Sequence, residues 1–356
     1  MNRSRIAALL TGPYTHLDHL GILALELGLP LFVTEEKSYH LAQKYYPGLT
    51  PILKSPEELS LSFLKGNFDL LVHSSRLLTQ ELQPLFELQN KEMRFLFCPH
   101  GNSDKGYTMS QEQHVAQDYA LVYGEQMMDL HMRTGALKKI KHTIRSGNYR
   151  YPFYKKHRAF YDHLVQQEFL SKLDPKRKTI LYAPTWQDGE NPTSFFNCCA
   201  ELVETLPPNF NLTIKLHPLL EEHDVAKTIH LLAKYENYPN VLFISDFPAI
   251  YPLLSVADLY LGDFSSIGYD FLLFNKPLFF LGVTEQSSGC LHTCGMTIPP
   301  DATIYSFIEK NYEKNQTEYA SRRQETYAYA FGEEKILSSI LIELERGQNM
   351  DIKEIV

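Results

Sequence analysis

The sequence predicts an α/β protein built as two parallel-sheet domains that face each other across a cleft. Three observations carry that expectation. Short apolar runs alternate with amphipathic stretches in a strand, helix, strand rhythm, which builds parallel sheets covered on both faces. The rhythm breaks once, between Asn148 and Arg177, and then restarts. At 356 residues the chain is also too long for one ordinary core and suits two.

Ile6-Ala7-Ala8-Leu9-Leu10 reads as a buried strand, closed by Gly12-Pro13. An apolar-periodic helix is expected over residues 16–27, ending at Gly28, and then a strand at 31–34. Residues 69–73 and 94–98 read as two further strands with a helix over 77–88 between them, and residues 119–123 as another strand. Residues 150–154 make a poor strand, and 155–172 a charged helix with no strand beside it. The domain boundary is therefore placed here, with one domain at 1–150, a second at 151–330 and a C-terminal helix at 331–356 that packs back on the first. In the second domain strands are expected at 179–183, 211–215, 241–244, 259–261 and 278–281, with helices over 304–344.

Composition narrows the function classes. Net charge is −8, from 34 Lys and Arg against 42 Asp and Glu, so the chain has no broad basic field for nucleic acid. The basic runs Lys138-Lys139-Ile140-Lys141 and Lys155-Lys156-His157-Arg158 read as solvated helix faces. Five cysteines, an odd number, argue against a disulfide framework and for reduced thiols in the cytoplasm. Cys290-x-His292-x-Cys294 fits no common zinc spacing, and no metal site is assigned. The first apolar run is too short for a signal peptide, and no run reaches membrane-spanning length. A cytoplasmic protein is expected, with peripheral contact at the inner face of the cell membrane left open.

Ligands in such sheets sit beyond the carboxyl ends of the strands, so chemistry-bearing residues are sought just after strands. The strongest segment is Gly262-Asp263-Phe264-Ser265-Ser266, a polar turn between a buried strand and a helix. Consecutive hydroxyls there can cap free amides or, with those amides and the helix dipole, hold a diphosphate. Lys215-Leu216-His217-Pro218 supplies a cation and a hydrogen-bonding ring at another strand end. Tyr182-Ala183-Pro184-Thr185-Trp186 ends the second domain's first strand; Trp186 reads as packing, whereas Thr185 can point into the cleft. In the first domain, Cys98-Pro99-His100-Gly101-Asn102-Ser103-Asp104-Lys105-Gly106 offers His100 as a general base, with Gly101 allowing close backbone approach. The loop bearing His16 and His19 is a weaker acceptor-side candidate, and Arg150 is placed to meet a phosphate or an acidic side chain.

Taken in order, these segments resemble the CDP-glycerol glycerophosphotransferase family, the teichoic acid primase and polymerase group. The resemblance runs over about residues 94–282 and rests on His100-Gly101-Asn102-Ser103 with Lys105, Tyr182-Ala183-Pro184-Thr185-Trp186, Lys215-Leu216-His217-Pro218, Asp263-Phe264-Ser265-Ser266, Asp270-Phe271 and Asn275-Lys276-Pro277. It departs from the family pattern where Asn102-Ser103 replaces Thr-Pro and Phe264 replaces Tyr. The resemblance implies a GT-B fold, two Rossmann-like halves, and transfer of glycerol phosphate or a related polyol phosphate from a CDP-activated donor to a hydroxyl of a cell-envelope polymer or lipid-linked acceptor, releasing CMP. By that correspondence His100 resembles the catalytic base, and His217, Ser265 and Ser266 resemble donor-phosphate ligands. Lys215, Asp263 and Thr185 complete the expected donor side, and Gly101, Asn102 and His16 the expected acceptor side. No tightly bound cofactor is implied, and a divalent metal is compatible with the sequence without being required by it. The alternative readings are a glycosyltransferase using a nucleotide sugar and a non-catalytic nucleotide-binding protein; the oligomeric state is open.

Overall fold

A computed structural model describes residues 5–104, 117–187, 193–283, 289–333, 335 and 337–351. Lys105 and Gly106 of the His100 segment lie outside the described residues. The first half holds a parallel sheet of strands β1 (Ile6–Leu10), β2 (Leu31–Val33), β3 (Ile52–Leu53), β4 (Leu70–His73), β5 (Arg94–Phe97), β6 (Gln117–Val122) and β7 (Ile140–Arg145), in the spatial order β3-β2-β1-β4-β5-β6-β7. The second half holds β8 (Lys178–Ala183), β9 (Phe210–Lys215), β10 (Val241–Ile244), β11 (Leu259–Gly262), β12 (Leu278–Phe280) and β13 (Met296–Thr297), ordered β10-β9-β8-β11-β12-β13. Every recorded strand pair is parallel, as in β1 with β4, where Ile6 faces Leu70 and Leu9 faces His73. This is the expected α/β architecture of two parallel sheets.

The buried apolar strands fall within a residue or two of where periodicity puts them. β1 is buried along its whole length, and so are β4, β9, β11 and β12, while β8 is buried from Thr179 onward. Three short or edge strands were not expected. β7 starts inside the basic run read as a helix face, and its burial alternates, with Ile140 and Ile144 inward and Lys141 and Arg145 exposed. That is an edge strand whose charges face water, with Lys141 paired to Asp118 at 2.8 Å. β3 and β13, each two residues long, give periodicity too little to act on. The expected helix over 16–27 is instead a 3₁₀ turn (Tyr14–His16), a π-helical turn (Leu17–Gly21) and an α-helix (Ile22–Leu27) closed by Gly28 at φ 68°. Residues 150–154, read as a poor strand, lie in the helix Arg150–Lys156, which the helix Arg158–Glu168 follows.

The chain crosses from one sheet to the other through those two helices. One apolar cluster runs continuously from Leu10 and Leu23 through Phe153 and Tyr161 to Tyr251, Leu254 and Phe271, so both halves share buried surface. The helix Ala320–Phe331 returns to the first half, where Ala330 and Phe331 are buried and the Asn102 side chain donates to the Ala330 carbonyl at 3.2 Å. The helix Ser338–Asp351 contributes Ile340, Leu341 and Leu344 to the same cluster. All five cysteines are free thiols. Among the described residues no helix is long and apolar enough to cross a membrane.

Arg150 sits where the halves meet, 1% exposed, donating to Asp18 Oδ2 of the first half at 3.1 Å and to Asp270 Oδ1 of the second. Removing the guanidinium strands two buried carboxylates. Arg150→Met is expected to cost about 3–5 kcal/mol of unfolding free energy, read by urea denaturation. A loss below about 1 kcal/mol, the range of an exposed ion pair, would contradict the clamp.

Candidate active site

In open α/β sheets the ligand crevice forms where strand order reverses direction, outside the strand carboxyl ends. That point lies between β1 and β4 in the first sheet and between β8 and β11 in the second. A cleft of about 500 Å³ lies between the two halves. His16, Asp18 and His19 follow β1, Ser74 and Ser75 follow β4, and His100 follows β5. Facing them are Trp186 after β8, Lys215 and His217 at the end of β9, and Ser265, Ser266 and Asp270 after β11, with Arg150 between the halves.

The first-half wall is made of histidines held neutral. His16 and His100 stack with ring centroids 4.3 Å apart and planes at 15°. His16 Nδ1 bonds the Ser74 hydroxyl at 2.9 Å. Burial holds His16 well below the ordinary imidazole range, reinforced by His100 and by His217 across the cleft. Burial lowers His100 to about 4, with contact to the Ser74 backbone pulling it partly back. His100 is therefore unprotonated at neutral pH, which is the state a general base needs. Its Nδ1 is buried and lacks a hydrogen-bond partner. The third histidine has a defined tautomer. Tyr123 donates its hydroxyl proton to the Pro99 carbonyl at 2.8 Å, so His19 Nδ1, 2.5 Å from the same oxygen, carries the proton.

The second-half wall supplies donors. His217 caps the helix Pro218–His223, its Nδ1 accepting from the Leu219 amide at 3.2 Å. The ring therefore carries its proton on Nε2 and keeps that N–H as a donor. Lys215 is 4% exposed, and burial lowers its ammonium to about 8, with Glu221 and Asp246 pulling it upward. Ser266 begins the short helix Ile267–Phe271 without using its side chain as a cap. The ordinary helix-cap explanation of that hydroxyl thus fails, and Ser266 stays at the cleft wall.

His100, His16, Lys215, His217, Ser265 and Ser266, all expected at the site, converge on this cleft. The other four candidates stand behind it. Asp263, expected to hold phosphate, is 1% exposed and turned inward: Oδ1 accepts from the amides of Thr185 and Phe264, each at 2.7 Å, and Oδ2 from the Ser194 amide at 2.9 Å and hydroxyl at 2.7 Å. Burial raises its pKa against those bonds, so the carboxylate braces the loops after β8 and β11. Thr185 is buried at 2%, and the neighbour read as packing, Trp186, lines the cleft instead. Asn102 is 2% exposed and spent on the helix end at Ala330. Gly101 has φ +140°, and a Cβ there would lie 2.8 Å from Ser266, so its role is to let the two halves close.

Sequence reasoning missed Ser74 and Ser75, whose importance follows from strand order, and the role of Asp104. Asp104 accepts from the Tyr269 hydroxyl at 2.7 Å and from the amides of Cys290 and Leu291 at 3.1 and 2.9 Å, a second join between the halves. His292 of the Cys-x-His-x-Cys run has both ring nitrogens engaged, with the Gly289 amide and the Asp263 carbonyl, each at 2.9 Å.

Residues 67–285 match the model of the family described as CDP-Glycerol:Poly(glycerophosphate) glycerophosphotransferase. The chain belongs to that family. The teichoic acid glycerol-phosphate primase of Bacillus subtilis (strain 168) is 25% identical over 176 residues, which cover 46% of this chain and 44% of the primase. The chain thus matches less than half the length of that relative. The structure of the wall teichoic acid polymerase TagF shares the fold at a TM-score of 0.65 and 15% identity, covering 100% of this chain and 91% of that one. A TagF variant soaked with CDPG gives 0.64 and 14%, covering 99% and 90%. Anabaena Alr3699/HepE in complex with UDP-glucose gives 0.57 and 11%, covering 96% and 99%. These likenesses show the two-sheet GT-B fold.

Asp263 separates bracing from binding. Asp263→Ala leaves three buried amides and a buried hydroxyl unmatched and is expected to lower unfolding free energy by at least about 3 kcal/mol. Denaturant titration beside calorimetry with CMP at a temperature where the variant is folded tests this. Loss of nucleotide affinity with unchanged stability would overturn the bracing role.

Proposed function

We propose that this chain transfers glycerol phosphate, or a related polyol phosphate, from a CDP-activated donor to an acceptor hydroxyl and releases CMP. The observation that carries the reading is the convergence of a neutral histidine from one half with a cation, an N–H donor and two serines from the other. Family membership and the TagF variant soaked with CDPG support the donor class.

The cleft's residues divide the work by charge. Lys215, His217, Ser265 and Ser266 present positive charge and hydrogen-bond donors, which suit the two phosphates of the donor. His100 takes the proton of the acceptor hydroxyl as its oxygen attacks the β-phosphorus. A new P–O bond forms, the bond from that phosphorus to the oxygen bridging the α-phosphate breaks, and CMP departs with the electron pair. The donors on the second half hold the charge that collects on the leaving phosphate. Water is kept from competing by closure of the halves, for which Gly101 against Ser266 leaves just enough room. A polymeric or lipid-linked acceptor reaching the first-half wall completes the proposal, as does work at the inner membrane face.

CMP release from CDP-glycerol tests the reaction directly. His100→Ala is expected to lower kcat about 10²–10⁴-fold while calorimetric affinity for CDP-glycerol stays within about threefold. Turnover of UDP-sugars with none of CDP-glycerol would sink the reading, and binding without turnover in the wild type would favour a non-catalytic role.

The pH dependence of kcat/KM follows from the same groups. The active form needs His100 neutral and Lys215 charged. Falling pH protonates His100 only through about 4, and rising pH discharges Lys215 through about 8. The profile should stay flat between roughly pH 5 and 7, where an ordinary histidine base with pKa about 6.5 would lose activity steadily. Lys215→Arg should move the alkaline limb upward, because a guanidinium stays charged. An acid limb near 6.5, or an alkaline limb unmoved by that substitution, would contradict the assignment.

A further inference from the structure

We propose that His16 is a positioning residue for His100, the two stacked imidazoles working as a pair that takes up one proton and never two. This rests on the reading of His100 as the base. It goes beyond the family match, because His16 lies ahead of the matched residues 67–285.

The geometry is that of a built support. The rings are 4.3 Å apart and nearly parallel at 15°. Both answer to one residue: the Ser74 hydroxyl holds His16 Nδ1 at 2.9 Å, and the Ser74 backbone contacts His100. Ser74 itself is 1% exposed at the end of β4, so its position is fixed by the sheet. His16 closes the 3₁₀ turn and immediately precedes the π-helical turn, the irregular start of the helix that ends at Leu27. A regular helix would present its side chains at a steady 100° spacing. The change from a 3₁₀ to a widened turn instead brings His16, Asp18 and His19 all to the cleft wall.

Stacking does two things for a base. It fixes the ring's rotation, so the lone pair keeps one direction. It also places a polarizable neutral face beneath the imidazolium that forms when the proton arrives, which attracts it. A second proton on His16 would set two like charges 4.3 Å apart in a site shielded from water, which repel strongly. The groups facing the pair agree with single occupancy. His19 is tied to Tyr123, His217 faces from the second half, and Arg150 stands between Asp18 and Asp270 with its charge already matched. None of these is a carboxylate free to hold a second proton in place on the pair.

Two substitutions at one position separate the face from the nitrogen. His16→Ala removes both, and His16→Phe keeps an aromatic face without a titratable nitrogen. For His16→Ala, kcat for CMP release is expected to fall about 30-fold with KM for CDP-glycerol within twofold, and His100 should titrate nearer the ordinary histidine range as water enters. His16→Phe should recover at least about tenfold of that loss and leave the His100 titration close to wild type. The His100 titration is read by NMR on the full chain with labelled histidine, assigned through His100→Gln. Ser74→Ala keeps both rings but cuts the tether, and should shift the His100 titration in the same direction as His16→Ala.

Equal loss in His16→Ala and His16→Phe would overturn the proposal, because the nitrogen and not the face would then matter. An unmoved His100 titration in His16→Ala would overturn it too. If His100→Ala keeps wild-type CMP release, the base reading itself fails, while the NMR titrations still decide whether the rings behave as a pair.

Discussion

A guanidinium at 1% exposure cannot stand without partners, and the position of Arg150 is the constraint on which the cleft depends. Its two partners come from opposite halves of the chain, Asp18 from the turn after β1 and Asp270 from the helix after β11. Each carboxylate is held in turn, Asp18 by the Tyr46 hydroxyl at 3.2 Å and Asp270 by the Tyr251 hydroxyl at 2.8 Å. Asn148, just before the crossing helices, donates to Tyr251 at 2.5 Å and to Tyr327 at 2.9 Å. A change in the angle between the halves would therefore break several buried bonds together. The clamp also tempers the cleft's acidity. Two ionised carboxylates would repel a phosphate ligand, and Arg150 offsets one of them; burial raises Asp18 only to about 6 against the pull of Arg150, so near neutral pH the group still carries close to one negative charge.

The walls follow from that clamp. With Arg150 and Asp104 each bonded across the halves, the strand ends of both sheets face each other at a set distance, and residues with no sequence relation become neighbours. Gly101 and Ser266 show how close the approach is: a single methyl on Gly101 would collide with the serine. The first half contributes neutral rings, whereas the second contributes a lysine, an N–H and hydroxyls. This asymmetry is what a transfer between an anionic donor and a hydroxyl acceptor asks of two walls, since the base must be free of positive charge while the leaving group meets it.

Much of this was legible in the sequence because it lives in local patterns. Buried parallel strands announce themselves as apolar runs, and the strand-end rule then pointed to His100, His217, Ser265 and Ser266 without any knowledge of their spatial relation. The rule fails where two residues compete for one strand end. Asp263 and Ser265 look equally polar in the sequence, yet one turns inward to four donors and the other lines the cleft. Thr185 and Trp186 exchange their expected roles for a related reason: they lie in the loop beyond the end of β8, whose course is held by the bond from the Thr185 amide to Asp263, a partner far away in the chain. Asn102 goes to a helix end more than 200 residues later, a contact no local pattern encodes. Ser74 and Ser75 gain their place only from strand order, with β4 beside β1 at the reversal point.

The low proton affinity of the histidine wall also bears on how a ligand would be received. Burial, not a neighbouring cation, is the leading cause of the lowered pKa of His16, His19 and His100. A burial penalty of that kind weakens when an anion arrives, because the incoming charge stabilises the imidazolium that the dry cleft disfavours. A diphosphate on the second-half wall would therefore raise the affinity of His100 for a proton at the moment an acceptor hydroxyl has to surrender one. By linkage, a protonated His100 would in turn tighten the hold on the anion. If His100 is the base, it is uncharged before the anion arrives and stronger afterwards, and both follow from placing neutral rings opposite a wall built of Lys215, His217 and the two serines.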